Sequence, residues 1–149
     1  MLIIEPNPEK AKQLIKSSKE TPIIVQALSP DYNRSLLEYG KFSQLLFPEP
    51  EHIQKTKKDK LKQLDTGINS IMAKIATKNK IQIAVDLNKI KSLDKKQKAL
   101  FLSRLKEIIK ICRKSKTPLK LINYKDKKDA LALMQALGAS SQQAQDSFR

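Results

Sequence analysis

Residues 65–87, DTGINSIMAKIATKNKIQIAVDL, join an amphipathic helix directly to a buried strand, which is half of a β-α-β crossover. Asp65 or Thr66 can cap the helix by accepting hydrogen bonds from the free amides of its first turn. Ile68, Ile71, Met72, Ile75 and Ala76 recur at helical spacing as one apolar face. Lys74 and Lys78 then fall outside that face. Asn79-Lys80 can end the helix, and residues 81–87 are too short and too β-branched for another one. They read as a strand buried on both faces, as in the middle of a parallel sheet.

Outward from this unit the same alternation continues. A short strand at 2–4 precedes a helix that Asn7 caps and Pro8 opens, with Ala11, Leu14 and Ile15 facing inward. Residues 23–26 read as a strand, 31–39 as a helix ending near Gly40, and 43–47 as a strand broken by Pro48 and Pro50. A lysine-rich stretch, 54–63, leads into the quoted unit. Beyond it come a helix over about 94–114, a strand at 119–123 and a helix over 127–137. Strands alternating with helices predict an α/β fold with a parallel sheet and right-handed crossovers. No internal repeat and no linker divides the chain, so residues 1–149 are expected to form a single domain.

The quoted stretch resembles the archaeal ribonuclease P protein component 3, counterpart of the eukaryotic thirty-kilodalton subunit. There an Asp-Ser-Gly-Leu-Asn helix runs into Ala-Lys-Asn and then a hydrophobic strand. Asn33-Arg34 after the strand Ile23-Ile24-Val25, and the turn Phe47-Pro48-Glu49, resemble the family's Asn-Arg and His-Pro-Glu positions. Residues 105–123 look like its long helix, Arg-Lys helix end and following strand, and 130–145 like its last short helix and Leu-Gly turn. The resemblance implies a TIM-type barrel of the kind shared with metal-dependent PHP phosphoesterases. Five strands are counted here against the eight of a closed barrel, so the expected fold is an incomplete TIM-like array lacking the family's N-terminal βα units. Its open edges are to be covered by a partner subunit or a separate chain, unless the sheet flattens into an ordinary α/β layer.

Composition bounds function independently. The 149 residues are 40% hydrophobic, enough to bury a core, and carry 30 Lys and Arg against 15 Asp and Glu, a formal charge of +15. Residues 1–50 hold six basic and six acidic groups, 51–100 thirteen and five, and 101–149 eleven and four. Positive potential is thus concentrated on surfaces made by the later two thirds, as for a protein with a polyanionic partner. A merely solubilising surface is the competing reading. The single cysteine, Cys112, lies in the apolar series Leu105, Ile108, Ile109 and is expected to be a buried hydrophobe rather than a nucleophile. No apolar stretch approaches the roughly 20 residues of a membrane span, and the N-terminus lacks a signal-peptide layout, so a cytoplasmic protein without a membrane partner is expected.

Catalytic groups are sparse. His52 is the one histidine, no His-x-His pair exists, and the three glycines form no phosphate loop. Asp86 ends a strand where a catalytic carboxylate could sit, but without a partner base or metal it reads as a cap or ion-pair member. Gly67 could admit a phosphate at a helix N-terminus or simply make a tight turn. No catalytic or metal-binding residue is therefore assigned.

Binding residues are better supplied. Lys57, Lys58, Lys60 and Lys62 form a basic run, and Lys106, Lys110, Arg113 and Lys114 share one side of a helix opposite Leu105, Ile108 and Cys112. Aromatic residues make up 5% of the chain and tryptophan is absent, which favours phosphate and shape recognition of a folded RNA over base stacking. The candidate RNA contacts are Arg34, Lys57, Lys58, Lys74, Lys78, Arg104, Lys110, Arg113 and Lys114. Arg34, Lys74, Lys78, Arg113 and Lys114 match family positions, and Arg104 rests on charge alone. The resemblance implies a subunit of the ribonucleoprotein that removes the 5′ leader from precursor tRNA. The partners would be ribonuclease P RNA and protein component 2, and Mg²⁺ would be held by the RNA rather than the protein. The alternatives are a divergent metal-dependent phosphoesterase of the same barrel type and a basic protein-interaction subunit.

Overall fold

A computed structural model describes residues 1–47 and 67–148. Five strands, β1 (Leu2–Ile3), β2 (Ile24–Gln26), β3 (Gln44–Phe47), β4 (Gln82–Asp86) and β5 (Leu119–Ile122), form one parallel sheet in chain order β1-β2-β3-β4-β5. Each neighbour in the sheet is also the next strand in sequence, as in an arc of a (βα)8 barrel. The intervening helices are α1 (Pro8–Ser17), α2 (Pro30–Tyr39), α3 (Ser70–Lys78) and α4 (Lys95–Ser115), followed by α5 (Lys127–Ala136) and α6 (Ser141–Asp146).

Local chemistry accounts for the helix ends. The side chain of Asn7 accepts from the amides of Glu9 and Lys10, and Ser29 accepts from Tyr32, each just before a proline in the first turn. Asp94 and Gln97 make a reciprocal capping box at α4. Gly40 closes α2 at φ 70, where a Cβ would stand 3.6 Å from the Asn79 side chain. At α3 the expectation is corrected: Asn69, not Asp65 or Thr66, caps the helix, accepting from Met72 N at 2.9 Å. Asp65 and Thr66 lie outside the described residues.

The core lies between sheet and helices. Ile3, Val25, Leu45, Ile83 and Leu119 stand in register across all five strands and pack with Ala11, Ile15, Leu36, Met72, Ala76, Leu105, Ile109 and Cys112. Leu46 and Ala84 alternate with these core residues and are also buried, so β3 and β4 are covered on both faces. Two expected core residues point outward: Leu14 is 40% and Ile71 is 60% exposed. With the helix beginning at Ser70, the inward arc centres on Met72, Ala73 and Ala76, and Ile71 falls beyond its rim.

The sheet edges differ. At β5, the outward amide of Leu121 donates to Ser147 O at 2.9 Å and Tyr124 meets Phe148 edge-on at 4.9 Å, so the chain following α6 covers that edge. At β1, Met1, Leu2 and Ile4 are exposed.

Candidate nucleic-acid interface

Asn33 and Arg34 are neighbours with opposite roles. Asn33 is fully buried; its Oδ1 accepts from Leu28 N at 2.8 Å, and its Nδ2 donates to Leu28 O at 3.2 Å and Gly67 O at 2.9 Å. It ties the loop before α2 to the segment before α3. Arg34, one step along the helix, is exposed and meets Glu38 at 3.0 Å. Both side chains are more than half exposed, so the pair is weak and readily exchanged for a phosphate.

The same division recurs at the end of α3. Lys74 and Lys78 are exposed, whereas Asn79 donates to Leu37 O at 2.6 Å and locks α3 against α2. Thr77 and Thr117 share a hydrogen bond of 2.9 Å, and Thr117 also donates to Ala73 O, joining α3 to the segment after α4. These links set α2, α3 and α4 side by side on one flank of the sheet.

On α4, Lys106, Lys110, Arg113 and Lys114 are all exposed, opposite the buried stripe, as the spacing predicts. Arg113 Nη1 donates to Gly138 O at 3.3 Å, which steadies the guanidinium beside the α5 terminus. Arg104 is a correction. At 3% exposure it lies within the helix's buried stripe, three residues after Phe101 and four before Ile108, and does not belong to the exposed face. Lys57, Lys58, Lys60, Lys62 and His52 lie outside the described residues.

Among the described residues, no carboxylate lies within 4.0 Å of the exposed α3 and α4 cations Lys74, Lys78, Lys106, Lys110, Arg113 and Lys114. The possible reactive groups have structural surroundings. Asp86 Oδ1 accepts from Asn88 N at 2.9 Å and caps the short 3-10 turn Leu87–Ser92. Burial pushes the Cys112 thiol up to about 12, keeping it protonated and unreactive. Burial, with the Glu5 carboxylate adding to it, raises the Tyr32 phenol to about 12. Among the described residues no three His, Cys, Asp or Glu side chains gather as a metal site.

Three further cations, Lys41, Lys80 and Lys116, escape a reading based on helix faces. Each follows a helix end and precedes a strand, a signal legible only once consecutive αβ loops are known to lie side by side.

No family model matches this chain, and no curated protein matches it. Among solved structures, a chain in the cryo-EM structure of archaeal Ribonuclease P with mature tRNA superposes over 98% of the present chain, with a TM-score of 0.73 and 18% identity. The present chain spans 61% of that chain's length. At this identity the likeness establishes a shared fold.

Proposed function

We propose that the chain is a protein subunit of the ribonuclease P ribonucleoprotein, of the component 3 type. In this reading it binds and braces the catalytic RNA together with protein component 2. The observation that carries it is the fold shared along nearly the whole chain with a polypeptide of an archaeal ribonuclease P. The exposed cations on α3 and α4 and the +15 charge support it physically, because a rigid flank of lysine and arginine neutralises RNA backbone charge and reads shape without reading sequence. Arg34, Lys74, Lys78, Lys110, Arg113 and Lys114 are the contacts on described residues, and Lys57 and Lys58 extend the set. The RNA supplies the Mg²⁺ and performs the cleavage of precursor tRNA, and the protein works in the cytoplasm.

Sequencing the RNA that copurifies with the tagged chain from its own cells tests this reading. Ribonuclease P RNA should be enriched, and the eluate should trim precursor tRNA while the RNA-free chain does not. Mg²⁺-dependent cleavage by RNA-free protein, abolished by Asp86→Asn, would instead establish the phosphoesterase alternative.

A further inference from the structure

Helices α3 and α4 end in the same way. The amide of Ile81 donates to Ala76 O and that of Thr117 to Cys112 O, both at 2.9 Å, around a left-handed residue: Lys80 at φ 57 and Lys116 at φ 55. Helix α5 closes with the equivalent bond, from Ala139 N to Met134 O, and uses Gly138, the residue this geometry favours. Lys41, at φ 64, follows Gly40 after α2. Each loop entering β3, β4 and β5 therefore holds a lysine in a backbone region that side chains other than glycine seldom occupy.

The three loops converge. Lys41, Lys80 and Lys116 line one depression of ≈660 Å³ at the N-terminal end of the sheet, and no Asp or Glu among the described residues shares that lining. An adjoining hollow of ≈520 Å³ shares Gln82, Lys116 and Pro118 with it and adds Arg113, with Asp146 as its acid. All three lysines are exposed, and among the described residues none lies within 4.0 Å of a carboxylate. Lys41 Nζ rests 5.5 Å from the centre of the Tyr39 ring. Gln82 Oε1 accepts from Gln44 at 3.0 Å, which leaves the Gln82 amide hydrogens for an incoming acceptor.

Like charges gathered around a hollow repel one another, and a bound polyanion relieves that repulsion. Among the described residues, the exposed large apolar side chains, Met1, Leu2, Ile4, Leu14 and Ile71, all lie outside both hollows, so none of them offers the rim the apolar anchor that a protein interface uses. Lysine ammonium groups on flexible stems suit phosphate oxygens rather than base edges.

We infer that the N-terminal rim of the sheet is a second RNA-backbone site, in which Lys41, Lys80 and Lys116, continued by Arg113, hold successive phosphates. This rests on the ribonucleoprotein reading and adds to it a surface at the N-terminal end of the sheet, which meets the α4 helix face at Arg113. The test is the double variant Lys80→Gly with Lys116→Gly, since glycine accepts the left-handed backbone and keeps the helix ends intact. Its melting temperature should equal or exceed that of the parent chain. Its binding to transcribed ribonuclease P RNA should weaken, with the slope of log affinity on log salt flattened by about two. Unchanged affinity and slope, while Lys74→Ala with Lys78→Ala weakens binding, would remove the rim site and leave the helix-face interface standing. Unchanged binding in both variants would overturn both. A lowered melting temperature would make the lysines structural and overturn the inference. So would a loss of binding to polyglutamate with RNA affinity intact, which would mark the rim as a site for an acidic protein.

Discussion

Ile71 and Met72 are adjacent in α3, yet the chain uses them in opposite ways. Met72 is 3% exposed and packs in the shared core, while Ile71 is 60% exposed. Met72→Ala should therefore cost about 2 to 5 kcal/mol in a urea melt, from lost burial together with the cavity left behind. Ile71→Ala should cost under about 0.5 kcal/mol. Equal costs would mean that the inward face of α3 has been misplaced. Periodicity alone does not separate the two residues, because the apolar series includes both; packing decides, since the face that meets the core is the one carrying Met72, Ala73 and Ala76. Elsewhere the sequence pattern finds the right neighbourhood without dividing the labour within it. Asn33, buried, and Asn79, half-buried, are ties, while the cations beside them, Arg34 and Lys78, face solvent. Arg104 shows the converse, since a charged residue on a buried stripe is legible from helical spacing only when spacing is given more weight than charge.

Strand and helix bounds agree with the periodicity to within a residue or two from β1 to α5, apart from the later start of α3, because each element carries an apolar repeat or a run of β-branched residues. Helix α6 offers no such signal. Its six residues, SQQAQD, bury one side chain, Ala144, so only the tertiary context that ties it to β5 reveals it. Its contribution is nonetheless specific: with the segment after it, it covers the outer edge of β5, and Gln143 Nε2 donates to Ile109 O at 3.1 Å. Deleting residues 141–149 removes these bonds, the Tyr124–Phe148 ring contact and the burial of Ala144. The expected loss is on the order of 2 to 4 kcal/mol in a urea melt. The uncovered strand should also raise self-association, read by light scattering. A truncated chain as stable and as monodisperse as its parent would mean that α6 is not what protects the edge.

Across the whole molecule the charge is divided unevenly. The first 50 residues are neutral and supply β1 to β3, and the +15 arises from the remainder, including α3, α4 and the loops that enter β4 and β5. The sequence alone reveals that imbalance but not its two destinations, because helix-face lysines follow a linear repeat whereas Lys41, Lys80 and Lys116 meet only through the parallel stacking of the sheet. Binding through the helix flank has a measurable consequence. Each phosphate held by a lysine releases counterions, so Lys110→Ala with Lys114→Ala should flatten the salt dependence of RNA affinity by about two between about 50 and 200 mM salt. Both residues are exposed, and neither has a carboxylate partner among the described residues, so the melting temperature should hardly move. Lys12→Ala provides the matched control, because Lys12 lies in the neutral portion of the chain and meets Glu9 at 3.0 Å. Its slope should stay at the parent value. If removing Lys12 flattens the slope by about one, half the effect of removing Lys110 and Lys114 together, the RNA responds to total charge alone, and the arrangement of α3 and α4 carries no recognition.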